Sequence, residues 1–152
     1  MPLGIRKTLP IFALVLLLSS AAGRATGQTP AVVNVDLMDP STGPSITSMM
    51  IKTDQVSVKA GPVRFVVSND SKNLVHEMIV VSVAEPNTPL PYDRKDDRVI
   101  ESKIKDLGEA SDLAPGEKKT LSLTLKPGNY ILMCNQAGHY KTGMKASLTV
   151  TQ

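Results

Sequence analysis

The sequence predicts an all-β fold, a β-sandwich or barrel of seven to eight short strands. From residue 31 onward, short segments alternate apolar with polar residues, which is the pattern of strands that bury one face. Clusters of Pro, Gly, Asn and Asp separate these segments at intervals suited to turns. Only residues 84–110 depart from this pattern, so we expect one β domain spanning residues 28–152.

The first 27 residues are predicted to be a secretory signal peptide. Arg6 and Lys7 precede an apolar run from Leu9 to Leu18, and small residues follow from Ser19 to Gly23. This order of positive charge, short apolar run and small residues is typical of export signals. The run is shorter than the roughly 20 apolar residues that a membrane span needs. We therefore expect a periplasmic or otherwise exported protein whose mature form has no membrane span.

Charge and cysteine content restrict the function of this domain. The chain has 17 basic and 14 acidic residues, and three of the basic residues lie in the predicted signal peptide. The mature domain is therefore close to neutral, which argues against a nucleic-acid partner, since such a partner requires a clustered basic face. The chain has one cysteine and so no internal disulfide. In an oxidising compartment a lone thiol must be buried or occupied, and metal binding is one way to occupy it.

The first half of the domain contains five predicted extended segments. Residues 31–38 alternate as a strand with one buried face, and the Pro- and Gly-containing residues 39–44 form a loop. Short extended pieces are expected over 45–51 and 55–59, and a strand rich in β-branched and aromatic residues over 63–68. Residues 75–83 are almost continuously apolar after Glu77, which predicts a central strand covered on both sides.

Residues 84–110 are predicted to be a long excursion from the sheets. Prolines and a charged run come first, and four apolar residues then recur at roughly helical spacing: Val99, Ile100, Ile104 and Leu107. We expect one short helix here, packed over one end of the sandwich. An insertion of this length usually has a structure or a function of its own. The alternative is a solvated connection.

Three further strands are predicted in the second half. Leu121 to Leu125 alternates apolar with polar residues, and Pro127-Gly128 has the composition of a tight turn. Tyr130 to Cys134 and Lys145 to Thr151 are the last two strands. Between these two strands lies the segment with most of the candidate metal ligands.

The segment from Cys134 to Met144 has the pattern C-x4-H-x4-M. It contains the only cysteine and one of the two histidines, His139, while the other histidine is His76. A thiolate, two imidazoles and a weakly bound thioether form the ligand set of blue-copper electron-transfer sites. Glycines precede both His139 and Met144 and permit the turns that aim successive side chains at one point.

Each of these residues has an ordinary explanation when taken alone, as a packed Met, a buried Cys or a structural His. Their joint presence in a disulfide-free β domain favours the copper site. Structural zinc prefers sets such as Cys2His2 without thioether. A multicopper enzyme needs more histidines, and nothing resembles the orienting base that Cys–His catalysis requires. The adjacent Met49 and Met50 are either packing residues or a Cu(I)-binding pair.

The chain resembles the cupredoxins, and in particular small exported bacterial plastocyanin-like copper-binding proteins. Five segments spanning nearly all of the mature chain carry the resemblance: GPVRFVVSN (61–69), VHE (75–77), LAPGE (113–117), LKPGNY (125–130) and CNQAGHYKTGM (134–144). The resemblance implies a Greek-key β-sandwich with one copper ion at one end. It also implies His76, Cys134, His139 and Met144 as ligands, with Met144 axial.

Two features of the sequence depart from the family pattern, one spacing and one residue. The cysteine-to-histidine gap is longer than in plastocyanins proper. Many cupredoxins have Asn after the first histidine, where it supports the cysteine loop, whereas this chain has Glu77. We expect Asn135 to replace part of that support by hydrogen-bonding near the sulfur, because groups around the ligands tune such sites.

The favoured function is that of a one-electron carrier, not an enzyme, which cycles Cu(I) and Cu(II) with transient redox protein partners. A monomer is expected, and by family resemblance electrons would pass through His139. The alternative is a periplasmic copper-binding and delivery protein that handles Cu(I) without electron transfer. The presence of Glu77, Met49 and Met50 favours copper delivery. A metal-free structural or adhesion β-sandwich is the third possibility.

Overall fold

The computed structural model describes residues 28–45 and 47–152, which form two stacked β-sheets. The predicted signal peptide lies outside the described residues. The eleven strands are β1 (Ala31–Met38), β2 (Met50–Thr53), β3 (Ser57–Lys59), β4 (Gly61–Asn69), β5 (His76–Val83), β6 (Tyr92–Asp93), β7 (Arg98–Val99), β8 (Lys105–Leu113), β9 (Lys118–Leu125), β10 (Gly128–Met133) and β11 (Lys145–Thr151). In the described part of the chain, no helix is long and apolar enough to cross a membrane.

The two sheets have the mixed topology of a sandwich. One has the strand order β2-β1-β4-β9 and the other β3-β11-β10-β5-β8, while β6 and β7 form a separate hairpin. β1 with β4 and β3 with β11 are parallel pairs, and the remaining pairs are antiparallel. The chain passes from one sheet to the other after β2, β3, β4, β8 and β9, which fits the Greek-key connectivity. The all-β sandwich predicted from the sequence is confirmed.

The core between the sheets follows the alternation in the sequence. In β1 the residues Val33, Val35 and Leu37 are completely buried, and in β4 Phe65 and Val67 are too. Burying a side chain of this size contributes about 1.5–3 kcal/mol, so these two strands alone supply a large apolar stabilisation. Their intervening residues are more exposed, as expected for strands with one buried face.

A covering segment, residues 84–104, lies on the outer face of the five-stranded sheet. Its Leu90 and Val99 pack with outward-facing side chains of β5 and β10 and with one loop residue: Ile79, Val81, Ile131, Met133 and Tyr140. This explains why β5 is apolar on both faces, as the sequence predicted.

One expectation for this region was wrong: the segment covers the outer face of a sheet rather than one end of the sandwich. The short helix expected within residues 84–110 is a single turn of 3-10 helix, Glu101–Lys103. Residues 105–110 belong to β8, because Lys105 and Asp106 pair with the end of β5. The hairpin β6–β7 and the strand β8 raise the strand count from the predicted seven to eight to eleven. The two strands of the hairpin have only two residues each, too few to show a period.

Candidate metal centre

Strand alternation turns His76 and Cys134 towards the space between the sheets. β5 and β10 are antiparallel neighbours, and His76 begins β5 while Cys134 directly follows β10. Both residues are completely buried, and Cys134 continues the inward series of Tyr130 and Leu132. The site is therefore built at one end of two adjacent, well-packed strands.

The ligand loop, residues 134–144, is closed by its own backbone. Cys134 N–H donates to the carbonyl of Met144 at 3.1 Å, and Met144 N–H donates to the carbonyl of His139 at 3.0 Å. Gly138 and Gly143 have φ angles of 82° and 106°, which a side chain would disfavour. These bonds bring the two ends of the loop together and turn His139 back towards Cys134.

Three predicted ligand atoms converge at this point. The Nδ1 atoms of His76 and His139 are 3.2 Å apart, and Cys134 Sγ lies 3.4 Å from His139 Nδ1. All three atoms lie within 4.8 Å of one another, so one metal ion could contact them together. Two imidazole nitrogens and a thiolate sulfur suit copper.

Met144 is the fourth residue predicted from the sequence. It is completely buried in the same cluster of core side chains as Cys134, and its backbone is bonded to both Cys134 and His139. The loop and the core together fix the position of its backbone, and its role as the fourth ligand stays a prediction. His76, Cys134 and His139 meet at one end of the sandwich.

Burial determines the protonation of the three groups before a metal binds. It raises the pKa of the Cys134 thiol to about 11, although N–H groups of Gln136 and Glu77 hydrogen-bond the sulfur and act in the opposite direction. Burial also lowers the pKa of His76 and of His139. At neutral pH the site therefore contains a thiol and two neutral imidazoles, and a metal must displace the thiol proton.

Asp39 is a site residue that the sequence analysis missed. Its Oδ2 lies 3.1 Å from His76 Nε2, and both side chains are buried, 2% and 0% exposed. Burial acts to raise the pKa of Asp39, but hydrogen bonds from Ser41, Ser71 and His76 outweigh it and lower the pKa to about 2. The sequence shows only a polar loop at 39–44. An Asp followed by Ser two residues later signals a local turn, but it does not identify a histidine 37 residues away.

Glu77 and Asn135 lie on the opposite face of the sheet from the ligands. Glu77 Oε1 accepts the backbone N–H of Asn135 at 3.0 Å, so Glu77 supports the residue next to Cys134. The expectation that the Asn135 side chain would bond near the sulfur was wrong. Strand alternation points it outward, where its Oδ1 accepts Val99 N–H at 2.6 Å and its Nδ2 donates to Val99 O and Glu101 Oε1.

The covering segment holds the ligand loop at further points. Arg98 Nη1 donates to the carbonyl of Asn135 at 2.7 Å, and Gly138 N–H donates to the carbonyl of Asp97 at 2.7 Å. Leu90 N–H donates to the Tyr140 hydroxyl at 3.1 Å. The covering segment, whose role the sequence left open, therefore holds the ligand loop in place through hydrogen bonds.

A β-sandwich with a two-histidine, one-cysteine group at one end, in which only His139 is partly exposed, defines a copper-binding protein of the cupredoxin type. The family model described as copper binding proteins, plastocyanin/azurin family, matches residues 38–151. The chain belongs to this family, whose cofactor is copper. No curated protein sequence matches the chain significantly.

Solved structures of blue-copper proteins have the same fold. Reduced auracyanin from Roseiflexus castenholzii is 21% identical, with a TM-score of 0.55 over 83% of this chain and 100% of that one. Rusticyanin from Thiobacillus ferrooxidans is 17% identical, with a TM-score of 0.59 over 79% of this chain and 76% of that one. Auracyanin A from Chloroflexus aurantiacus, described as a "blue" copper protein, is 17% identical, with a TM-score of 0.55 over 81% and 100%.

Proposed function

We propose that this protein is an exported type 1 (blue) copper protein that carries single electrons. The observation that supports it is the convergence of His76 Nδ1, His139 Nδ1 and Cys134 Sγ within 4.8 Å. Met144 would be the axial ligand. The bound ion would supply reversible one-electron chemistry between Cu(I) and Cu(II).

The protein contributes by holding the proposed ligand side chains in fixed positions. The loop is closed by backbone bonds and braced from outside, so it needs little rearrangement when the charge of the ion changes. Preorganised groups of this kind reduce the energy needed to reorganise polar surroundings.

Electron exchange is proposed to occur at His139. His139 is partly exposed whereas His76 is completely buried, and the neighbouring Ala137 is exposed. A transient redox partner would dock on this end through a small interface, below about 1,200 Å². A monomer in the periplasm or another exported space fits this role, and the export rests on residues 1–27.

The direct test is to add Cu(II) to purified residues 28–152 and record visible and EPR spectra, followed by voltammetry. We expect intense thiolate-to-copper absorption, one copper per chain and a reversible one-electron wave. A colourless complex would contradict the proposal. A blue site that is not reversibly reduced, but that passes Cu(I) to an acceptor, would indicate copper delivery instead.

Glu77 and Met49, two of the three residues that favoured copper delivery, have other contacts in the structure. The Glu77 carboxylate is bonded to the Asn135 amide and is not part of the His–Cys–His group. Met49 Sδ accepts a hydrogen bond from Thr142 Oγ1 at 3.4 Å, so Met49 packs on the ligand loop. These contacts support the electron-carrier role over copper delivery.

Replacing Met144 by leucine should keep the blue colour and raise the reduction potential. Leucine has a similar volume, so packing changes little, while the loss of a sulfur donor disfavours the more electron-poor Cu(II). Voltammetry together with the visible spectrum measures both effects. A colourless Met144→Leu protein that is still folded, or one with an unchanged potential, would contradict axial ligation by Met144.

Binding of Cu(II) to the copper-free protein near pH 7.5 should release about one proton per site. The thiol is protonated there because its pKa is about 11, whereas the lowered pKa values leave both imidazoles neutral. The apparent affinity should therefore rise about tenfold per pH unit around neutrality. Titration calorimetry in two buffers of different ionisation enthalpy counts the protons. A count near zero would mean that Cys134 is not a thiolate ligand or is already ionised.

A further inference from the structure

Behind His76, on the side away from the other two ligand atoms, lies a buried carboxylate. His76 Nε2 is 3.1 Å from Asp39 Oδ2, while His76 Nδ1 faces His139 Nδ1 at 3.2 Å. The imidazole ring of His76 thus stands between the Asp39 carboxylate and the predicted copper position.

We propose that Asp39 is a positioning residue of the copper site: its carboxylate holds the Nε2–H of His76, presents Nδ1 to the metal and favours Cu(II) over Cu(I). The preference for Cu(II) over Cu(I) rests on the proposed function, whereas the positioning of His76 does not. The tautomer of His76 can be tested without copper.

The hydrogen-bonding groups themselves determine the tautomer. An ionised carboxylate can only accept hydrogen bonds, and a neutral imidazole has one N–H. With Asp39 next to Nε2, the single N–H of His76 must be at Nε2, which leaves the lone pair of Nδ1 free. Metal-ligating histidines commonly donate their second N–H to a carboxylate or carbonyl in this way, and this raises the basicity of the ligand.

The carboxylate is itself held in place by two loops. Ser41 N–H donates to Asp39 Oδ1 at 2.6 Å, and Asp39 N–H donates to Thr42 Oγ1 at 3.1 Å. The hydroxyls of Ser41 and Ser71 are 3.2 Å apart, and Ser71 Oγ accepts Leu74 N–H at 2.9 Å. This network joins the loop after β1 to the loop before β5. Turning the Asp39 carboxylate to solvent would break its bonds to Ser41 N–H and His76 Nε2.

The charge of Asp39 is available to stabilise a bound cation. Among the described residues no lysine or arginine forms an ion pair with Asp39, and its one contact of that length is with the neutral imidazole of His76. Its hydrogen-bond donors are neutral. One imidazole ring away, in a buried site, a unit negative charge should favour Cu(II) over Cu(I) by roughly tenfold or more. A tenfold change corresponds to about 59 mV for a one-electron couple.

Two variants separate the charge from the positioning. Asp39→Asn keeps an oxygen that can accept the Nε2–H but removes the charge, so the protein should stay blue while its Cu(II)-to-Cu(I) affinity ratio falls at least tenfold. Asp39→Ala also removes the acceptor, so the copper-free protein should show a mixture of His76 tautomers. Asp54→Asn is the control, since Asp54 is an exposed carboxylate bonded to Asn34 of β1, and it should change the ratio less than twofold.

Voltammetry of the copper proteins and histidine nitrogen NMR of the copper-free proteins are the two measurements. The copper-free wild-type protein should show His76 with its proton on Nε2, and a proton on Nδ1 would overturn the positioning role. An Asp39→Asn ratio within twofold of wild type would overturn the charge role. If the wild-type protein binds no blue copper, the proposed function fails, and the NMR result still decides the positioning role.

Discussion

Replacing Cys134 by serine should abolish the blue colour completely while leaving the fold intact. The intense absorption of a type 1 site arises from a thiolate bound to Cu(II), and serine offers only a weak hydroxyl ligand. Serine is slightly smaller than cysteine, and Cys134 lies within the core cluster, so we expect a modest loss of stability, about 1 kcal/mol. The affinity for copper should fall by orders of magnitude because no anionic ligand remains. Visible and EPR spectra of the copper-treated variant, with amide NMR for the fold, test this.

Met133→Leu is the matched control for this experiment. Met133 is adjacent in sequence and equally buried, but it faces the covering segment on the other side of the sheet. It should keep the full colour. A Cys134→Ser protein that stayed blue would mean that the copper site lies elsewhere.

Replacing Asn135 by alanine should destabilise the copper-free protein by about 2–4 kcal/mol. The variant leaves the buried N–H and carbonyl of Val99 without the partner that Asn135 provides, and it removes a bond to the exposed Glu101. A buried polar group left without its partner costs about 1–3 kcal/mol, and the costs within one network do not add fully. Against a typical stability of 5–15 kcal/mol, this is a large loss. Urea unfolding measures it.

Gln136→Ala is the control for Asn135→Ala. Gln136 is the next residue of the same loop, but its amide reaches only an exposed carboxylate, Asp112. A surface change of this kind should lie within about 0.5 kcal/mol of wild type. Equal effects of the two substitutions would show that the contact between Asn135 and the covering segment does not stabilise the loop.

The parts of the fold that follow from local pattern could be predicted from the sequence. The alternation of β1 identified its buried face, and the continuous apolar run of β5 indicated cover on both sides, which the covering segment provides on the outer side. The residues of the candidate site could also be predicted from local pattern. Three of its four residues lie within eleven positions, and only one other histidine exists.

Other features depend on contacts between distant parts of the chain. Asp39 meets His76 across 37 residues, and the covering segment meets Asn135 across 36. Neither contact has a periodic signal, because each joins an irregular loop to a site on another element. The outward direction of Asn135 could have been predicted: Cys134 faces inward, so the next residue along an extended chain faces outward.

The cover on both faces of β5 and β10 has a consequence for backbone motion. Their amides lie beneath the four-stranded sheet on one side and the covering segment on the other, so they should be among the slowest in the domain to exchange hydrogen with solvent. The strands that exchange slowest are then β5, which begins at His76, and β10, which Cys134 directly follows. The most rigid backbone of the molecule would carry the thiol and the buried imidazole, while the partly exposed imidazole of His139 belongs to the loop beside them.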